Sequence, residues 1–261
     1  MSFEEYKYEV CVANRALTEI GLASGPMASL GHISMRVPGN PDRFIVKGRG
    51  YEVDAIPLMQ PEDMVVCDLD ANKVEAPPGV TQCYEVKIHS CIYRTYPNVQ
   101  SVVHVHPRYT VTMSVLQAPL RPACNEGSGL VRTPPPVWMH NKLVQSDPEG
   151  MEVAELVADS KIALLIGHGA VAHGGSMSEA FMNMYNLEEQ ARMNYNLYCA
   201  AGPNYPQIPE ALLAEPSIPR TELPHFQADP GIMPGQGEQR PNGVFLYYTK
   251  IAAHKLETGE L

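Results

Sequence analysis

The sequence predicts a layered α/β or α+β domain around a mostly antiparallel sheet. Three observations point there. Helix-period and strand-period segments alternate from residue 4 to residue 200, joined by Gly- and Pro-containing turns. The chain has 261 residues, enough for one large domain or a domain with a long appendage. It is 44% hydrophobic and only 18% charged, which supplies the apolar material for a core.

The elements follow in order. Residues 4 to 22 carry Val10, Ala13, Leu17 and Ile20 at helical spacing. "GLASGPMASLGHISMRV" is a Gly-rich loop leading into a strand, and "RFIVKG" and "DMVVCDLD" read as two more. "YEVKIHSCIYRTYP" suits a helix closed by Pro97. "VQSVVHVH" alternates and is rich in β-branched residues, so it is a strand. "PRYTVTMSVLQ" is a helix with Pro107 near its first position, where the missing N–H costs nothing. "KIALLIGHG" is a buried strand ending in a loop, with His173 in a following turn. In the long helix after it, Ser176 and Glu179 have capping-box spacing.

Beyond residue 200 prolines recur at 203, 206, 209, 216, 219, 224, 230, 234 and 241. Such a stretch cannot build a regular core. The expected organisation is a domain over residues 1–202 and a Pro-rich arm over 203–261. The arm lies over the domain or a neighbour and ends in a short helix near "VFLYYTKIAAHKLE".

A formal net charge of −10 argues against nucleic acid or an anionic membrane as partner. No apolar run approaches the roughly 20 residues of a membrane span. The start "MSFEEYKYEV" is acidic, unlike a secretory leader. Six cysteines form no CxxC pair, so reduced thiols and a cytoplasmic location are expected.

Chemistry concentrates in "SVVHVHPRYT". On a strand, residues i and i+2 share a face, so His104 and His106 project together. Two such imidazoles chelate a divalent ion or simply hydrogen-bond within a strand. A third histidine, His168, follows a buried strand and is flanked by glycines that permit close approach. Glu85 opens the preceding helix, as a fourth ligand, as an acid/base beside a metal, or as a carboxylate at a helix N-terminus. His89, one turn on, suits a supporting role.

Taken together, "GHISMR", Glu85 in "YEVKIHSCIY", "VVHVHP" and "IGHGAVAHGGSMSEA" resemble the class II aldolase/adducin N-terminal family across residues 8 to 200. The resemblance implies a three-layer α/β/α fold. It implies one divalent metal ion (Zn, Mn, Fe or Co) on His104, His106 and His168, with Glu85 as acid/base. It also implies a homo-oligomer, commonly a tetramer, with sites near subunit interfaces.

Departures from the family's sugar-phosphate aldolases speak to substrate. Their phosphate-holding hydroxyls and amides are replaced by His32 in the first loop, Arg49 in the second and Cys83-Tyr84 in the third. A guanidinium fork suits a carboxylate, with glycine N–H groups beside it. The sequence is therefore closer to the family's decarboxylases of hydroxylated aromatic or pyridine acids. A small-molecule carboxylate is the expected substrate, held by His32, Arg49 and, from the arm, Tyr248. The alternatives are an aldolase for an unphosphorylated hydroxy-keto acid or sugar, and, more remotely, an adducin-like structural module.

Overall fold

Chain order begins with helix α1 (Phe3–Glu19), whose Val10, Ala13 and Leu17 are fully buried, as their spacing requires. This computed structural model describes residues 3–50, 54–215 and 241–260. Strands β1 (His32–Arg36), β2 (Arg43–Arg49), β3 (Met64–Asp68), β4 (Lys73–Glu75) and β5 (Thr81–Gln82) precede helix α2 (Val86–Thr95). Strand β6 (Ser101–Val105) and helix α3 (Arg108–Leu116) follow, then β7 (Val137–Trp138) and α4 (Asp147–Leu156). Strands β8 (Ile162–Leu165) and β9 (Gly169–Gly174) lead to the long helix α5 (Met177–Ala201). Among the described residues, helices α6 (Glu210–Leu213) and α7 (Gly243–Thr258) follow.

The sheet order is β4-β3-β2-β1-β6-β9-β8-β7, with β5 on the end of β2. Every pairing is antiparallel except β7 with β8. Alternation along the strands produces two cores. Ile33, Ile45, Val103, Val105, Ala170 and Ala172 face α1, α3, α5 and α7. Phe44, Val46, Val102 and Val171 face α2 and α4. The result is the three-layer α/β/α arrangement. His104 shares its strand face with Val102 and therefore points toward α2.

Several local readings change. His173 lies inside β9, paired with Val102, rather than in a turn. The run "GAVAHG" looks like a loop because its small residues are what a strand sandwiched between two layers tolerates. Pro107 (φ −71°, ψ 135°) is the cap before the first helical residue of α3. Ser176 accepts the N–H of Glu179 at 3.1 Å, but the Glu179 carboxylate takes the N–H of Gly175 instead of completing the box. Helix α4, unread in the sequence, does carry a full capping box, Ser146 with Glu149.

The closing helix spans 16 residues and docks on α1. The Tyr8 hydroxyl donates to Glu257 at 2.8 Å, and Lys255 pairs with Glu19 at 3.1 Å. The prolines at 216, 219, 224, 230 and 234 lie outside the described residues. All six cysteines are free thiols. Among the described residues no helix is long and apolar enough to cross a membrane.

Candidate metal centre and active site

Glu85 is the N-cap of α2, where a carboxylate sits naturally against the positive end of the helix. Its two oxygens have separate duties. Oε1 accepts the Val144 N–H at 3.0 Å. Oε2 lies 3.2 Å from His104 Nε2 and 3.4 Å from His168 Nε2. The loop before α4 thus orients the carboxylate without using the oxygen that faces the histidines.

His104, fully buried on β6, has its Nδ1 3.0 Å from the Ala170 carbonyl of β9. A carbonyl only accepts, so Nδ1 carries the proton and Nε2 presents a lone pair. That lone pair is 3.1 Å from His106 Nε2. His168 closes the group from the hairpin loop 166–168 between β8 and β9. Gly167 (φ 63°) supplies the left-handed residue of this loop. Ser114 accepts the Gly167 N–H at 3.0 Å, and Asn141 donates to Ile166 O at 3.0 Å, so α3 and the segment after β7 both tether it. At Gly169 a Cβ would fall 2.5 Å from Val105 O, 3.0 Å from His106 Cδ2 and 3.1 Å from His104 Cε1. Only glycine lets the turn approach the other two histidines.

The potential ligand atoms of Glu85, His104, His106 and His168 all lie within 4.8 Å of one another. Neither ring nitrogen of His168 makes a hydrogen bond, and Nε2 has only the 3.4 Å approach of Glu85 Oε2. Buried polar atoms are normally paired, so this orphan needs a partner. Three imidazoles and a carboxylate converging with few protons between them form a donor set that a divalent cation fits. The electrostatics agree. Burial, with His104 and His168 beside it, pushes the His106 imidazole down to about 3, leaving it neutral and able to ligate. Burial alone would raise the Glu85 carboxyl, but positive charge on the facing His104 and His168 nitrogens outweighs it and holds the group well below the usual carboxylate range.

His32 stands directly opposite His104 across the β1–β6 ladder, their ring centroids 5.3 Å apart. It is almost fully buried, and burial with His89 and His104 drives it well below the ordinary histidine value. It is therefore a neutral ring beside the cluster rather than a cation. Its Nδ1 is 2.6 Å from His89 Nε2. His89 holds no place in the metal group and supports His32 instead.

Arg49 ends β2, stacks over the Tyr84 ring at 4.3 Å and pairs with Asp54. Lys47, buried on the same strand, also reaches Asp54 at 3.3 Å and donates to Ser29 O at 2.8 Å. Lys47 and Arg49 thus share the Asp54 carboxylate, and with Glu52 in the same stretch the formal charges of residues 47–54 cancel. Tyr84 is 62% exposed and adjoins Glu85 in sequence, which ties the Arg49 loop to the mouth of the site. Tyr248 lies elsewhere: it packs, half-buried, on the core that faces α1 and α5, on the opposite side of the sheet from α2.

The sequence reading missed Val144, Asp54, Ser34 and Tyr93. The first acts through its backbone and leaves no sequence signal. Asp54 sits near two cations of one strand, which is a weak signal. Ser34 shares the strand parity of His32, and Tyr93 the helical spacing of His89, so face analysis could have found both.

The fold and the site together define a class II aldolase-type lyase. The family described as Class II Aldolase and Adducin N-terminal domain matches residues 8–195, and the chain belongs to it. A 3,4-dihydroxyphthalate decarboxylase from Arthrobacter keyseri is 27% identical over 213 residues, covering 79% of this chain and 84% of that protein. A 3-oxo-tetronate 4-phosphate decarboxylase from Escherichia coli is 34% identical over 121 residues, 43% of this chain and 55% of that one. In fold, an aldolase II superfamily protein from Pseudomonas syringae superposes with a TM-score of 0.73 at 19% identity, covering 98% of this chain and 93% of that chain.

Proposed function

We propose that the protein is a divalent-metal-dependent decarboxylase of an ortho-hydroxy aromatic mono- or dicarboxylate. The observation that carries this reading is the convergence of Glu85, His104, His106 and His168, with the ring nitrogens of His168 making no hydrogen bond. The names of the two relatives above support the reaction class. Arg49, a guanidinium where the aldolases carry hydroxyls, supports a carboxylate.

His104, His106 and His168 would hold the ion, and Glu85 would stand beside it. The ion supplies Lewis acidity toward negative charge that develops on the hydroxyl-bearing ring. Glu85, a carboxylate at rest, takes the proton of the ortho hydroxyl through Oε2. The bond between ring and carboxylate then breaks, CO2 leaves, and the electron pair stays on the ring carbon. Glu85 returns its proton to that carbon. The Arg49 guanidinium offers its fork to a second carboxylate on the ring. His32 faces the same space as a neutral donor. A substrate contact from Tyr248 would require α7 of one copy to reach the site of another, in keeping with a homotetramer.

The test is metal analysis followed by a CO2-release screen of ortho-hydroxy aromatic acids. His104→Ala that keeps full metal occupancy and turnover overturns the site. Aldehyde released from hydroxy-keto acids, with no CO2 from any aromatic acid, makes the enzyme an aldolase.

A further inference from the structure

We propose that His32 is a fixed hydrogen-bond donor to the substrate, locked as its Nε2–H tautomer by a buried chain that starts at Tyr93. The kinetic part of this inference rests on the decarboxylase reading, whereas the tautomer does not.

The chain has four members. Tyr93 Oη is 2.7 Å from Ser34 Oγ, Ser34 Oγ is 2.7 Å from His89 Nδ1, and His89 Nε2 is 2.6 Å from His32 Nδ1. Tyr93, Ser34 and His89 are at most 1% exposed, so water cannot serve them. Each buried donor then needs one acceptor, and this sets the direction.

Tyr93 is the fixed end. Among the described residues its hydroxyl has one hydrogen-bond partner, Ser34 Oγ, and no carbonyl to donate to. The phenolic proton therefore goes to Ser34 Oγ. Ser34 must spend its own proton on His89 Nδ1, because its other acceptor, Val102 O, is far longer at 3.5 Å. With Nδ1 accepting, His89 carries hydrogen on Nε2 and donates to His32 Nδ1. His32 Nδ1 is then an acceptor, and its hydrogen is on Nε2. The reversed chain would leave the Tyr93 hydroxyl buried with nowhere to donate. The outcome survives an added proton on either ring, since a doubly protonated His89 or His32 leaves the same hydrogen on His32 Nε2.

Among the described residues His32 Nε2 has no partner in the chain, and it is not sealed from solvent as the nitrogens of His168 are. It is the open end of the chain, beside His104 and Glu85. Cys83 lies within 4.8 Å of His32 and His89. Burial raises its thiol, so in the chain alone it stays protonated beside the two rings. A donor that cannot reverse selects substrates with an acceptor oxygen at that position and disqualifies His32 as a base. Tyr93, Ser34 and His89 are positioning residues.

The experiment is a long-range proton–nitrogen NMR spectrum of the full chain, zinc-loaded and labelled with ring-15N histidine. His32 is assigned by the signals lost in His32→Gln. The expected result is a protonated Nε2 and an unprotonated Nδ1 at His32. The reverse pattern overturns the proposal from the wild-type protein alone. Ser34→Ala should blur the His32 tautomer and lower kcat/KM about tenfold at unchanged zinc content, the effect of one misdirected hydrogen bond, and Ser34→Thr should restore both. An unchanged His32 signal in Ser34→Ala overturns the relay. If no acid in the screen releases CO2, the decarboxylase reading fails while the tautomer pattern still decides this one.

Discussion

Glu188 on α5 grips Thr110 at the start of α3 through both of its groups, accepting the backbone N–H at 2.9 Å and the hydroxyl at 2.8 Å. The other carboxylate oxygen takes the Tyr109 N–H at 2.9 Å. Pro107, the residue in the cap position, offers no side-chain oxygen, so a distant helix supplies the missing cap. Because α3 begins two residues after His106, this grip also fixes where that imidazole sits. Glu188→Ala should cost about 2 kcal/mol of stability, read as a lower urea midpoint, and should reduce metal occupancy. Undiminished occupancy would show that His106 is placed by its strand alone.

Gly169→Ala tests the packing of the hairpin against β6. The added methyl falls 2.5 Å from Val105 O, a backbone atom that cannot step aside. Metal content and activity should both collapse. Gly129→Ala, with nothing within 4 Å of the added carbon and no left-handed φ, should behave as wild type.

Acid should loosen α4 through Glu149. Its hydrogen bond with Lys142, then those from Gln145 and Ser146, hold the carboxyl down at about 2, against an ordinary 4.5. A depressed carboxyl stabilises the fold above the ordinary value and ceases to do so as pH falls through the depressed one. The Tm difference between wild type and Glu149→Gln should therefore be constant above about pH 5 and shrink toward pH 2. A difference that grows on acidification would contradict the assignment.

Arg49→Ala should raise KM for an aromatic dicarboxylate roughly tenfold or more and for a monocarboxylate far less. Asp54→Asn should do the opposite, since it removes the negative charge between Arg49 and Lys47. Equal effects of Arg49→Ala on both acids would remove the anion role of this loop.

The site was legible where chemistry is written in spacing. His104 and His106 are two apart on a strand, His168 sits between two glycines, and Glu85 opens a helix, so residue type and local period were enough. What joins them was not legible. The Val144 N–H that orients Glu85 and the Ser34–His89 contact are tertiary pairings between segments 59 and 55 residues apart. In the fold, β9 hid behind its glycines and alanines, and α4 behind a proline and a glycine that usually mark turns. Arg49 was readable as a cation near the site, but its partner Asp54 was not.

Arg36 adds a mechanical consequence. Buried at the end of β1, it donates to Val99 O at 2.9 Å, Pro41 O at 2.5 Å, Tyr93 O at 2.6 Å and Tyr96 O at 3.2 Å. Two of those carbonyls belong to the last turn of α2 and its cap. The same helix is anchored at its other end by Val144 on Glu85. A beam clamped at both supports neither slides nor pivots, so the Glu85 carboxylate has no stroke of its own. Any give at this end of the cluster would have to come from the Tyr84–Arg49 flank.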